Sequence, residues 1–345
     1  MRAEELPPLV HTYGLSGRKL RILKQFAGYS RLENVASCDR LNTGSTLILW
    51  GGTPVPADCP EDVRIVRLED GFLRSVGLGA DLIKPVSWVF DTSGIYFDST
   101  RPSDLEILLA TTDFTHELAA RARSLRERIV ACNLTKYNVG NGDWKRPADL
   151  QRIILVPGQV ESDASIRFGA PGVNTNMGLL RAVREANPDA HIIYKPHPDV
   201  LAGLRAKGQD EDQSLEWCDE QIADVAMGLL LPQIDELHTL TSLAGFEALL
   251  RGKKVTCYGQ PFYAGWGLTV DILPVARRIR KLTLDELTSG TLILYPTYIS
   301  RYTGTLITPE QALDDLLLWI EQVGMNVRWW RKLFRIILRQ VGGVR

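Results

Sequence analysis

The chain has 345 residues, 40 Lys and Arg against 41 Asp and Glu, and 45% hydrophobic residues, enough apolar material for two domain-sized cores. A formal net charge of -1 excludes a general nucleic-acid binder, whose footprint is a basic domain. No run approaches the roughly 20 apolar residues of a membrane-spanning helix and no basic-then-apolar leader opens the chain, so a cytoplasmic location is expected.

The first apolar runs bounded by Gly, Pro or charge, Thr46–Trp50 and Val63–Leu68, predict buried parallel strands. Five cysteines (Cys38, Cys59, Cys132, Cys218, Cys257) stand far apart, which signals neither a disulfide framework nor a zinc knot and predicts buried, reduced thiols. Apolar residues three and four apart predict helices over Leu105–Leu109 and Thr115–Val130. The Gly- and Pro-punctuated stretch Gly140–Ala148 reads as a linker. Strands resume at Ile153–Val156, His191–Tyr194, Met227–Leu231 and Lys254–Tyr258, alternating with helical patterns at Gly178–Ala186, Leu243–Arg251 and Pro309–Val323. The alternation predicts an α/β protein with domains 1–148 and 149–305, ligands being expected in a cleft at the carboxyl ends of the strands, and terminal helices over 306–345. From Gly324 to Arg345 there is no acid, and Arg328, Lys332, Arg335 and Arg339 lie opposite Trp330, Leu333, Ile337 and Val341. That is the pattern of a basic amphipathic helix on an anionic membrane surface, about 1 kcal/mol per basic residue, or of a terminal helix packed on its own core.

Several segments carry chemistry. The strand at Ile153 runs into Gly158-Gln159-Val160-Glu161-Ser162-Asp163-Ala164-Ser165, a turn with two carboxylates two residues apart. Desolvation would push their pKa values apart and suit one to attack; alternatively Ser162 or Asp163 caps a helix. Lys195-Pro196-His197-Pro198 presents Lys195 and His197 stiffly at a strand end, suited to a phosphate or leaving group, or holds an ordinary loop histidine. His238 to Gly252 reads as a hydroxyl-rich cap, a helix and a glycine stop. Thr241 and Ser242 would meet a phosphate there, with Glu247 one turn in. Tyr258 to Thr269 interleaves glycines with aromatics, Tyr263 among them, which fits a sugar or base, or a packed loop.

These motifs, with Arg67 to Gly79 and Asp91 to Ser103, resemble the KpsC/LipA-type capsule polysaccharide proteins, which are retaining β-Kdo transferases (Kdo is 3-deoxy-D-manno-oct-2-ulosonic acid). The resemblance covers about Leu47 to Leu306 and one module, where family members often carry two. It implies a GT-B-like pair of α/β domains, CMP-Kdo on the second and a lipid-linked Kdo oligosaccharide acceptor on the first. It implies Asp163 as nucleophile, with Glu161 as the alternative, and Glu69 as acid/base, with Asp70 competing. Gln159, Ser165, Lys195, His197, Thr241, Ser242, Glu247 and Tyr263 would bind the donor, while Arg74 and Lys136 would neutralise sugar carboxylates, unless Arg74 simply pairs with a turn carboxylate. No metal or cofactor is implied, a β-2,7 linkage is favoured over β-2,4, and the terminal helix would seat the chain on the inner membrane. Two other functions fit such a fold: a non-catalytic glycolipid-docking export module, and a sugar-nucleotide hydrolase or epimerase.

Overall fold

The computed structural model describes residues 1–76, 83–136, 138, 140 and 142–324. The first elements are β1 (Leu9–Tyr13), α1 (Gly17–Phe26), β2 (Arg31–Val35), β3 (Thr46–Trp50), β4 (Arg64–Asp70), β5 (Ser87–Asp91), α2 (Asp104–Thr111) and α3 (His116–Ala131). There follow β6 (Ile153–Pro157), α4 (Ala164–Gly169), α5 (Asn176–Ala186), β7 (His191–Lys195), α6 (Pro198–Leu201), β8 (Glu220–Gln221), α7 (Met227–Leu230), β9 (Glu236–Thr239) and α8 (Leu243–Leu250). The chain continues through β10 (Lys254–Cys257), β11 (Val270–Asp271), α9 (Leu284–Thr288), β12 (Pro296–Ile299), β13 (Leu306–Ile307) and α10 (Pro309–Gly324).

Two compact units result. The first comprises Met1–Arg74, Lys84–Leu125 and Asp285–Leu316. Its sheet has the order β13-β12-β5-β4-β3-β1-β2, with β1 to β4 mutually parallel and β5, β12 and β13 antiparallel to their neighbours. Its core gathers Val10, Leu23, Phe26, Ile48, Val66, Trp88, Phe90 and Ile299. In α1 the Ser16 hydroxyl accepts the Lys19 amide at 3.3 Å and caps the helix. Ile22, Leu23 and Phe26 form its buried face, each side chain worth about 1.5–3 kcal/mol.

The second unit takes the described residues of 126–284 with the flanking residues 75–76, 83 and 317–324, and its sheet, β11-β10-β9-β6-β7-β8, is parallel throughout. Ile154, Val156, Leu180, Val183, Ile192 and Tyr194 form its core.

Several expectations are corrected. The first sheet is mixed, and β12 and β13 return to it, so the boundaries at 148 and 305 do not coincide with the compact units; a strand read locally does not announce its sheet. Residues 142–148 are a strap on the second unit: Trp144 Nε1 donates to Glu220 at 3.0 Å and Arg146 pairs with Asp235 at 2.9 Å. Gly and Pro mark irregular backbone, bound or not. Met227–Leu231 is helical over Met227–Leu230, a short apolar run being ambiguous in period. All five cysteines are free, but Cys132 is exposed and Cys59 half-buried. The basic helix expected over Val327–Arg345 lies outside the described residues.

Candidate functional site

In the second unit β6, β7 and β9 are parallel, so Pro157, Lys195 and Thr239 end on one edge of the sheet, where open α/β sheets bind ligands. Asp163 follows β6 and opens α4. Its carbonyl accepts the Ile166 and Arg167 amides, while its carboxylate makes no capping bond and, among the described residues, accepts no hydrogen bond. The capping alternative is therefore carried by backbone and the side chain is left over. Burial raises its pKa, against the opposing pull of Arg205 and Lys136. The same two cations act on His197, whose pKa is lowered to about 4, chiefly by burial. His197 Nδ1 accepts the Asp199 amide at 3.1 Å, which leaves the proton on Nε2, so at neutral pH the imidazole is an uncharged donor.

The neighbouring motif residues hold this edge in place. Glu161 accepts the Asn176 amide at 2.7 Å and the Gln209 amide at 3.0 Å, tying the start of α5 to the 208–209 turn, and so is engaged in a way Asp163 is not. Gln159 donates to Thr241 Oγ1 at 3.0 Å and accepts the Thr241 amide at 2.9 Å, bridging the ends of β6 and β9. Lys195 is buried, its ammonium donating to the Ala223 carbonyl at 3.1 Å and its pKa lowered to about 8 by desolvation. Ser242 Oγ accepts the Ala244 amide and caps α8. Thr241 and Ser242 each accept one hydrogen bond here and keep an O–H to donate. Ser165 sits half-buried in the first turn of α4.

Two expected binding residues are buried and hydrogen-bonded within the second unit. Tyr263 is 0% exposed and donates to the Ser242 carbonyl at 2.5 Å. Around it Phe262 and Trp266 are buried and Trp266 Nε1 donates to the Phe262 carbonyl at 2.8 Å, so the glycine-aromatic segment is the packed loop of the alternative reading. Glu247 is buried and accepts the Lys136 amide at 2.7 Å; burial pushes its pKa up to about 7. It positions Lys136. Arg205 was not singled out from the sequence. Its amide donates to the Asp199 carbonyl at 3.2 Å, next to His197 in the chain, and no spacing signals it.

In the first unit, Glu69 and Asp70 end β4. Asp70 pairs with Arg74 at 2.5 Å and accepts Trp88 Nε1 at 3.0 Å. Arg74 is 5% exposed and makes the turn pairing with Asp70. Asp70 is thereby the anchored acid of its pair. Glu69 Oε1 accepts the Asp70 amide at 2.9 Å. Sequence reasoning also missed Arg18 and Lys19 of α1, whose side chains act electrostatically on this acidic pair. Among the described residues no group of three or more His, Cys, Asp or Glu is placed to hold a metal ion.

The chain is thus an α/β protein of two units, each with acidic and basic side chains at a carboxyl-end sheet edge. The sequence matches the family described as capsule polysaccharide biosynthesis protein over residues 57–300. It is 43% identical over 318 residues to the capsule polysaccharide modification protein LipA of Neisseria meningitidis serogroup A, covering 89% of this chain and 45% of LipA. Against the lipopolysaccharide-processing protein LpsZ of Rhizobium meliloti it is 40% identical over 338 residues, covering 92% of this chain and 76% of LpsZ. The chain thus spans less than half the length of LipA. Among solved structures, the KpsC β-Kdo 2,7 transferase of Thermosulfurimonas dismutans superposes with a TM-score of 0.76 at 41% identity, covering 91% of this chain and 99% of that one. The KpsC β-Kdo 2,4 transferase gives 0.78 at 32% identity, covering 89% and 98%. The chain belongs to the capsule polysaccharide biosynthesis family that includes the KpsC and LipA proteins.

Proposed function

We propose that this chain is a retaining β-Kdo transferase of the GT-B-like type, moving Kdo from CMP-β-Kdo to a Kdo-terminated glycolipid in capsule assembly. The observation that carries the reading is Asp163, a carboxylate partly desolvated by burial that accepts no hydrogen bond among the described residues and feels the same two cations, Arg205 and Lys136, as a neutral His197. Its chemistry is double displacement. Asp163 Oδ bonds to C2 of the sugar as the C2–O bond to CMP breaks, the electron pair leaving with the phosphate. His197 Nε2–H and the Thr241 and Ser242 hydroxyls stabilise that phosphate. The acceptor hydroxyl then attacks C2, its proton passing to a general base, for which Glu69 is the candidate the family resemblance supplies, and Asp163 departs as carboxylate. No metal or cofactor enters these steps. Identity of 41% with the β-2,7 transferase against 32% with the β-2,4 enzyme favours a β-2,7 product.

Membrane seating is proposed on sequence alone, through the basic 327–345 segment; no helix among the described residues is long and apolar enough to cross a bilayer. Deleting 327–345 should abolish sedimentation with anionic liposomes, and unchanged sedimentation would remove the anchor.

The transferase is tested by incubating wild type and Asp163→Asn with CMP-Kdo, with and without a β-Kdo-terminated acceptor, and following product and protein by mass spectrometry. Wild type should extend the acceptor and carry one Kdo as a covalent adduct, and the variant should do neither. Free Kdo without extension would mark a hydrolase, and complete inertness a docking module.

A further inference from the structure

Asn176 is 2% exposed and opens α5, where asparagine usually serves as a cap; that duty is already met by Thr175, whose hydroxyl accepts the Gly178 amide at 3.1 Å. The Asn176 side chain turns back onto the end of β6 instead. Its Oδ1 accepts the Gln159 amide and its Nδ2 donates to the Gln159 carbonyl, both at 2.9 Å, so it pairs with that peptide as a neighbouring strand would. A backbone N–H can only donate, which settles which end of the side-chain amide faces it. The Asn176 N–H donates to Glu161 at 2.7 Å, so one residue holds both ends of the 159–161 turn that leads into Asp163. Gly208 closes the other side: a Cβ there would come within 2.7 Å of Glu161 Oε1 and 3.0 Å of Asn176 Nδ2. The ionisable groups facing Asn176 are Glu161 from the β6 turn and, across the 208 turn, Glu211, which accepts the Gly208 amide at 2.8 Å and the Tyr194 hydroxyl. Gln159 passes the constraint on. Its Oε1 accepts the Thr241 amide at 2.9 Å and the Thr239 hydroxyl at 3.4 Å, so its Nε2 must face Thr241 Oγ1, at 3.0 Å. Thr241 Oγ1 is thereby an acceptor from the sheet side, and its O–H is donated elsewhere.

We propose that Asn176 is the positioning residue of the donor site: through Gln159 it directs the Thr241 hydroxyl toward the leaving phosphate, and through Glu161 it fixes the turn that carries Asp163. The inference rests on the transferase reading for the phosphate, and on the hydrogen bonds of the second unit alone for the clamp.

Asn176→Asp is the test, because a carboxyl replaces both bonds to Gln159 only when protonated. Ionised, its second oxygen faces the Gln159 carbonyl with no hydrogen to donate; protonated, its O–H takes the place of Nδ2–H. Burial and the Glu161 carboxylate raise the pKa of the new group, so the clamp is present at low pH and lost as pH rises. CMP release from CMP-Kdo is measured for wild type, Asn176→Ala and Asn176→Asp from about pH 5 to about pH 8, and division by the wild-type rate removes the titrations they share. Asn176→Ala should lose about a hundredfold in kcat at every pH, with KM within about threefold of wild type. Asn176→Asp should match it at the alkaline end and recover at least about tenfold toward the acid end. A pH-independent ratio for Asn176→Asp, or a kcat within about twofold of wild type in Asn176→Ala, would overturn the proposal. If Asn176→Ala does not fold, the acid-end recovery of kcat in Asn176→Asp decides alone. If wild type releases no CMP, the transferase reading fails and the clamp is read from hydrogen exchange of the Gln159 amide. In Asn176→Asp that exchange should slow toward the wild-type rate as pH falls, and no slowing overturns the clamp as well.

Discussion

Glu247→Gln isolates the energetics of a buried carboxyl. The amide keeps an oxygen to accept the Lys136 N–H, now at 2.7 Å, but it cannot ionise. Raising a carboxyl from 4.5 to about 7 means that between these values the folded protein binds more protons than the unfolded chain. Stability from this group is complete below pH 4.5 and is lost as pH rises through 7, by about 3 kcal/mol at about 1.4 kcal/mol per pH unit. His197 acts oppositely between about 4 and 6.5, where the unfolded chain binds the extra proton, so the wild-type profile mixes two trends. The difference between variant and wild type cancels His197. It should grow in favour of Glu247→Gln by about 3 kcal/mol from pH 4.5 to 8. Hydrogen exchange of α8 amides across that range is the assay, because two units need not unfold together. Parallel profiles for the two proteins would refute the assignment of a buried, ionising Glu247.

Asp70→Ala would remove the carboxylate paired with the buried Arg74 and should cost about 3–5 kcal/mol in chemical denaturation of the first unit, whereas Glu69→Gln should keep the fold and lose transfer. Glu161→Gln should cost about 1–3 kcal/mol through its weakened bonds to the Asn176 and Gln209 amides. It should still form the covalent Kdo adduct, more slowly, where Asp163→Asn forms none; absence of adduct in Glu161→Gln would reverse their roles. A Cβ at Gly245 would overlap the Tyr263 hydroxyl, so Gly245→Ala should lose about 1–3 kcal/mol, and adding Tyr263→Phe should recover part of it in urea unfolding.

Much of the second unit was legible because its strands are continuous apolar runs ending in turn residues: Ile153–Pro157 and His191–Lys195 each lie within one residue of the expected ends. β1 and β2 of the first unit were not, since Leu-Val-His-Thr-Tyr and Arg-Leu-Glu-Asn-Val mix polar with apolar residues and their pairing is non-local. Residue type located the site but not each residue's duty. Lys195 and His197 are two positions apart, yet one ammonium reaches the Ala223 carbonyl while the other ring accepts a backbone amide on Nδ1 and makes no Nε2 bond among the described residues, a difference set by the 223 and 199 backbone beside them. Arg205 was invisible for the same reason, as only the fold brings the turn after α6 to Asp163 and His197.

The acidic doublets make physical sense as an anchored acid beside a working one. In Glu161 and Asp163 the glutamate accepts amides from two separate segments, which an ionised carboxylate does more strongly than a neutral amide would. That anchoring fixes the chain just past Arg205, and Arg205 with Lys136 sets the field on Asp163. The aspartate is held by different means, its carbonyl receiving the first amides of α4, so its carboxylate need not be immobilised by hydrogen bonds that would blunt it in the proposed nucleophilic role. Asp70 plays the anchored part at the end of β4 through Arg74 and Trp88. Losing an anchor should therefore degrade rate and stability together. Replacing Asp163 should abolish the proposed covalent step while leaving the protein as stable as before, or more stable, because a carboxylate partly desolvated by burial, with no hydrogen bond among the described residues, is removed.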